Sequence, residues 1–200
     1  MRRLLVLAAL LTFASGTVAA QDEAHAIVAG GCFWCVEADF DKVEGVRATT
    51  SGYTGGDVAD PTYQQVVAGG TGHREAVRIT YDPTVVSYDE LLTAFWHSVD
   101  PTDGGGQFCD RGFSYTTAIY VLDAEQRRAA EASKDRVRKD LAVDATIATP
   151  ILDAGPFYPA EDYYEKNPAR YKFYRWSCGR NDRVREVWGD TAFAGIPGLD

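Results

Sequence analysis

The alternation of strand-like and helix-like stretches predicts an α+β fold of two layers, with helices packed on a sheet. Three observations carry that expectation. Short apolar or alternating runs end in glycine or turn residues. Stretches with helical spacing lie between them, so the period of the pattern switches back and forth along the chain. The order is strand-helix-strand, then strand-helix-strand again, then one more helix and strand.

Each element has a local reason. "HAIVAGG" is a short buried strand that stops at two glycines. "CFWCVEADFDKV" places Phe33, Val36, Phe40 and Val43 at helical spacing. "GVRATTSGYTGG" is a strand closed by a glycine turn, and "PTYQQVVAGG" is a short helix with a glycine stop. "HREAVRITYDP" alternates, with Ala76, Arg78 and Thr80 on one side and Val77, Ile79 and Tyr81 on the other. "SYDELLTAFWHSV" opens with Ser87 and Glu90, the spacing of a capping box, ahead of an apolar helical stripe. Residues 100 to 114 lose all periodicity and predict a long, glycine-rich loop, a length that is uncommon unless the loop is functional. "YTTAIYVL" is a strand, "DAEQRRAAEASKDRVRKDL" a solvent-facing helix of mixed charge and "ATIATPIL" a strand. The tail from "YPAEDYY" onward predicts helical pieces broken at Pro168. The core of this order is the ferredoxin-like βαββαβ pattern, with an added helix and strand and an irregular C-terminal tail.

The first 20 residues belong to a different class of segment. Arg2 and Arg3 precede an apolar run from Leu4 to Ala14, too short to span a bilayer, and Val18-Ala19-Ala20 supplies small residues for cleavage. Residues 1–20 are therefore expected to be a secretory signal peptide, cut after Ala20, with export to a periplasm-type space and no membrane attachment afterwards. The polar stretch around the arginine pair is too small for a good twin-arginine signal, and an uncleaved anchor is the competing reading. Residues 21–200 suit a single domain with a sizeable core. Removing the leader takes the formal charge from −9 to −11. Such acidity argues against nucleic acid as a partner, because phosphate binding needs clustered Lys and Arg. A monomer is expected.

The four cysteines are Cys32, Cys35, Cys109 and Cys178. In an oxidising compartment their bland reading is two structural disulfides. The stretch "GGCFWCVEADF" suggests more. If the strand ends at Gly31, Cys32 stands at a helix N-terminus, where free amide hydrogens and the helix dipole favour a thiolate. Cys35 lies one turn later, within reach of a disulfide. A zinc clip fits poorly, since only one C-x-x-C exists and structural zinc takes four ligands. A structural disulfide and a reactive dithiol both remain on this spacing alone.

"GGCFWCVE", "SGYTGG", "GHREAVRITYDP", "FWHSVDPTD", "GQFCDRG", "FYPAEDYY" and "KFYRWSCGR" follow one another in that order. The set resembles the peptide methionine sulfoxide reductase A family over nearly all of residues 26 to 189. The resemblance implies thiol-dependent reduction of methionine S-sulfoxide, free or in proteins and peptides. It makes Cys32 the nucleophile, left as a sulfenic acid when methionine departs. It makes Glu75 the acid that protonates the sulfoxide oxygen, and Tyr53 and Tyr115 hydrogen-bond donors to it. Asp110 matches an aspartate near the site, and Phe33 and Trp34 match the walls of an apolar pocket for the substrate methyl. As plain residues, Phe33 and Trp34 would be core, Glu75 a surface strand carboxylate, and the tyrosines two of 11.

Turnover then requires a resolving thiol, for which Cys35 is the first candidate, Cys178 the second and Cys109 the third. An external dithiol, thioredoxin or a thioredoxin-like protein, would reduce the resulting disulfide. No bound metal, nucleotide or flavin is implied. Two departures from the family pattern stand out. "AEDYYEKNP" lacks four residues of the family's usual run, including a histidine, and Ser114-Tyr115-Thr116 replaces its Gln-Tyr-Arg. Two other functions compete: a thiol-disulfide oxidoreductase using Cys32 and Cys35, and a non-enzymatic binding module with all four cysteines permanently paired.

Overall fold

A computed structural model describes residues 23–161 and 168–199. The expected signal peptide, and the part of the shortened segment from Asp162 to Asn167, lie outside the described residues. Five strands and three helices build the expected core: β1 (Ala24–Ala29), α1 (Phe33–Phe40), β2 (Val46–Thr54), β3 (Arg74–Tyr81), α3 (Tyr88–Trp96), β6 (Ala118–Val121), α4 (Ala124–Asp140) and β7 (Ile151–Asp153). The short helix α2 (Tyr63–Ala68) sits between β2 and β3. The sheet order is β7-β6-β1-β3-β2, with the edge strand β8 (Phe157–Pro159) beyond β2. The four strands β6-β1-β3-β2 pair antiparallel throughout, which is the arrangement of a ferredoxin-like sheet, and β7 adds parallel to β6.

Strand parity sorts the two faces of the sheet. Ala26 and Val28, Val77 and Ile79, and Ile119 and Val121 face the main core with Phe40, Leu91, Phe95 and Trp96 from the helices. Ile27, Ala29, Ala76, Ala118 and Tyr120 form a smaller cluster on the other face. The helix starts obey the expected chemistry. Ser87 and Glu90 close the capping box of α3, and Thr62 and Gln65 form a second one at α2 that the same sequence rule would have found.

Three expectations need correction. The loop at 100–114 contains a small ribbon, β4 (Gly106–Gln107) paired with β5 (Asp110–Arg111), turning at Phe108 with φ 54°. The strand expected over "ATIATPIL" is confined to its end, because Ala148 and Thr149 donate instead to the Pro101 carbonyl at 2.7 and 3.3 Å and Pro150 has no N–H to give. Residues Phe157–Pro159 pair with Thr54, Tyr53 and Gly52 instead of joining the helical tail. The chain runs from Pro168 as α5 (Pro168–Ser177), and the residues before it, where the break at Pro168 was expected, lie outside the described ones. A break falls at Gly179, φ 64°, before α6 (Arg180–Trp188).

Candidate active site

The junction between β1 and α1 is built around Gly31. Its φ of +87° suits glycine, and a Cβ there would meet the Gln107 Cβ at 2.6 Å. This close approach seats the β4–β5 ribbon against the start of α1. Cys32 is the N-cap of α1, and its carbonyl accepts from Cys35 N at 3.0 Å and Val36 N at 3.3 Å. The next amide, Phe33 N, donates to Glu75 Oε2 at 3.0 Å. A carboxyl group from β3 therefore satisfies one of the orphan donors at the helix start.

A cleft of about 210 Å³ opens here, lined by Cys32, Trp34, Cys35, Tyr63, Glu75, Asp110, Tyr115 and Tyr174. Glu75 is 2 % exposed. Burial pushes its carboxyl up to about 8, with the charges of Asp110 and Cys35 adding and the Phe33 N–H opposing. It therefore holds its proton at neutral pH. Burial also raises Asp110, to about 6, and lifts Tyr115 above the usual phenol range, with Glu75, Tyr63 and Asp110 contributing. Tyr115 is thus kept as a neutral hydroxyl, hydrogen-bonded with Tyr63.

Cys32 and Cys35 are free thiols. The helix-dipole argument placed the thiolate on Cys32, and the structure reverses this. Cys32 is raised well above the usual thiol range, first by the hydrogen bond it makes with Cys35, then by burial and by the charges of Cys35 and Glu75. Cys35 falls to about 7, first through that same hydrogen bond and then, against its burial, through the charges of Arg180 and Arg175. Of the two thiols, Cys32 therefore keeps its proton and Cys35 is the one that ionises first.

Other predicted residues occupy different places. Trp34 lines the cleft, while Phe33 is fully buried behind it, its ring centroid 5.2 Å from that of Trp34 and 5.9 Å from that of Tyr53. Tyr53 lies opposite Glu75 in the β2–β3 register, fully buried, and donates to Glu161 Oε2 at 3.0 Å. Glu161 Oε1 also accepts from Tyr63 N at 2.9 Å, which anchors the start of α2 beside the cleft. Cys109 and Cys178 are joined in a disulfide, Cα–Cα 5.2 Å, so neither presents the free thiol expected of a resolving residue. The pairing of all four cysteines expected of a binding module is likewise not found.

Two lining residues were absent from the sequence reading. Tyr63 stacks on Trp34 with ring centroids 6.2 Å apart, and Tyr174 donates to Asp110 Oδ2. Among the described residues no cluster of three or more His, Cys, Asp or Glu could hold a metal ion.

The accessible chemistry is that of a thiol oxidoreductase: two neighbouring sulfurs, a protonated carboxyl group and neutral phenols around a space for a small polar group. Comparison with known proteins narrows this class. The family described as peptide methionine sulfoxide reductase matches residues 24–192, and the chain belongs to that family. It is 50% identical over 181 residues to peptide methionine sulfoxide reductase MsrA 2 of Rhizobium meliloti (strain 1021), covering 88% of this chain and 89% of the relative. It is 49% identical to the MsrA of Bacillus subtilis (strain 168), covering 82% and 95%. Methionine sulfoxide reductase A of Corynebacterium diphtheriae superposes with a TM-score of 0.64 at 33% identity, covering 72% of this chain and 73% of that one. The protein is an oxidoreductase that reduces methionine sulfoxide and so repairs oxidised methionine.

Proposed function

We propose that the reaction runs through Cys32, Glu75 and Cys35, with the S epimer of methionine sulfoxide as substrate. The observation that carries this reading is the meeting of Cys32 and a protonated Glu75 at one helix start. The proton of Cys32 passes to Cys35, and the Cys32 sulfur attacks the sulfoxide sulfur. Glu75 gives its proton to the sulfoxide oxygen, which Tyr115 and Tyr63 also face. The oxygen ends on Cys32 as a sulfenic acid, methionine leaves, and Glu75 remains as a carboxylate. Trp34 offers an apolar surface to the substrate methyl, and Asp110 with Tyr174 holds the polar side of the cleft.

Cys35 next loses its proton and displaces the hydroxyl from Cys32, which leaves as water. The resulting Cys32–Cys35 disulfide is returned to two thiols by an external dithiol, thioredoxin or a relative of it, through exchange at the more open sulfur, Cys32. Support for Cys35 over Cys109 and Cys178 comes from its bond to Cys32 and from the pairing of the other two with each other. We further propose that residues 1–20 direct export and that the mature protein works as a monomer outside the cytoplasm. Among the described residues no helix is long and apolar enough to cross a membrane.

The test is a single turnover. Pre-reduced protein is given a methionine sulfoxide peptide, each epimer separately, without added reductant. The S epimer should yield about one equivalent of methionine, and Cys32→Ser should yield none. Methionine formed by Cys32→Ser at the wild-type rate would remove Cys32 from the mechanism.

A further inference from the structure

The face of α1 that carries Cys35 continues one turn later with Asp39, and both are buried, 3 % and 0 % exposed. Two guanidinium groups from the C-terminal helices close on that face. Arg180, the first residue of α6, donates to Asp39 Oδ2 at 2.6 Å and to the Ser98 carbonyl at 2.8 Å. Arg175 of α5 pairs with Asp39 Oδ1. The ring of Phe108 closes the side, its centroid 5.4 Å from the Arg180 guanidinium carbon. One carboxylate thus serves two cations in the interior. Among the described residues, Arg180 Nε and Nη1 and Arg175 Nη1 meet no hydrogen-bond acceptor.

An unmatched buried cation costs several kcal/mol and calls for a nearby anion. Cys35 lies one turn from Asp39 on the same buried face of α1, and a negative charge on it would stabilise both guanidinium groups. Arg175 is pushed down only to about 9, by burial and then by the charge of Arg180, so it stays charged at neutral pH. The other titratable groups facing Cys35 are Cys32 on its own helix, Glu75 from β3 and Asp110 from β5. Glu75 is protonated, which leaves Asp110 as the competing negative charge.

We propose that Arg175 and Arg180, bridged by Asp39, are positioning residues that hold Cys35 as the anionic member of the dithiol. The consequence for turnover rests on Cys35 being the resolving thiol: having taken the Cys32 proton in the first step, Cys35 lies in a cationic setting that favours giving that proton up again as it attacks the sulfenic acid one turn away. The charge placement itself does not depend on that role.

The test isolates Cys35 in a Cys32→Ser background and follows thiolate absorbance in the ultraviolet against pH. Arg180→Met should raise the midpoint by about one pH unit or more, and Arg180→Lys should leave it close to the parent. If Arg180→Met does not fold, Arg175→Met provides the same reading while keeping the Asp39–Arg180 pair, with folding checked by circular dichroism. An unmoved midpoint in the folded variant overturns the proposal, because loss of a merely structural arginine would not shift the titration. In parallel, peptide mapping of the wild type after one turnover identifies the partner of Cys32. A partner other than Cys35 overturns the resolving role and leaves the titration result standing on its own.

Discussion

Glu75 is the residue on which most of the chemistry converges, and its placement has a cost. Its carboxyl is raised to about 8, chiefly by burial, above the ordinary value of 4.5 expected when unfolded. The folded protein therefore binds more protons than the unfolded chain between these values. Its contribution is most favourable below about pH 4.5 and is lost as pH rises through 8. Glu75→Gln keeps an acceptor for Phe33 N without the charge. Relative to wild type it should gain stability as pH increases, by at least about 1 kcal/mol at pH 8 in chemical denaturation. A constant difference between pH 5 and pH 8 would contradict the raised carboxyl. Part of this was legible in the sequence: Glu75 shares parity with Val77, Ile79 and Tyr81, so it falls on the apolar side of an alternating strand. Reading it alone as a surface carboxylate ignored that parity. The proton on Cys32 was not legible, because it depends first on the hydrogen bond with Cys35 and then on burial and on the charge of Glu75, which the fold brings from β3.

At the scale of elements, the site is a helix start clamped between a strand, a ribbon and a C-terminal helix. The Cys109–Cys178 disulfide ties the turn of the β4–β5 ribbon to the end of α5, and Tyr174 one turn earlier reaches Asp110 beside it. The bond spans 69 residues, so in the chain-entropy account it stabilises the fold by about 4 kcal/mol. The double variant Cys109→Ser, Cys178→Ser should unfold at clearly lower denaturant than wild type while Cys32 and Cys35 remain. Equal midpoints would show that the clamp adds nothing. Local signals found most elements here: the glycines ending β1, the Ser87–Glu90 box and the alternation of β3. They failed for β4, β5 and β8, strands of two or three residues whose existence rests on pairing rather than on their own periodicity.

On the scale of the whole molecule, the βαββαβ order was written in the sequence, because each strand and helix shows its own period and the sheet then has few ways to close. The extension by β7 and β8 depends on tertiary contacts and was only half visible. The basic, apolar first 20 residues bear on the proposal of export and not on how the domain folds. If the leader directs export, N-terminal sequencing of protein recovered from outside the cytoplasm should begin at Gln21. An intact Met1 on the exported protein would contradict cleavage after Ala20.

The central claim is that a buried, protonated Glu75 delivers the proton that lets the sulfoxide oxygen leave methionine as Cys32 attacks. It is tested most directly by the single-turnover rate of methionine formation against pH, for wild type and Glu75→Gln. Wild type should rise through about 7, as Cys35 ionises and can take the Cys32 proton, and decline once Glu75 loses its proton near 8. Glu75→Gln should be slower by about a hundredfold or more across the range, with no fall near 8. A variant that matches wild type, or a wild-type rate that climbs through pH 8, would place the proton elsewhere and contradict the account.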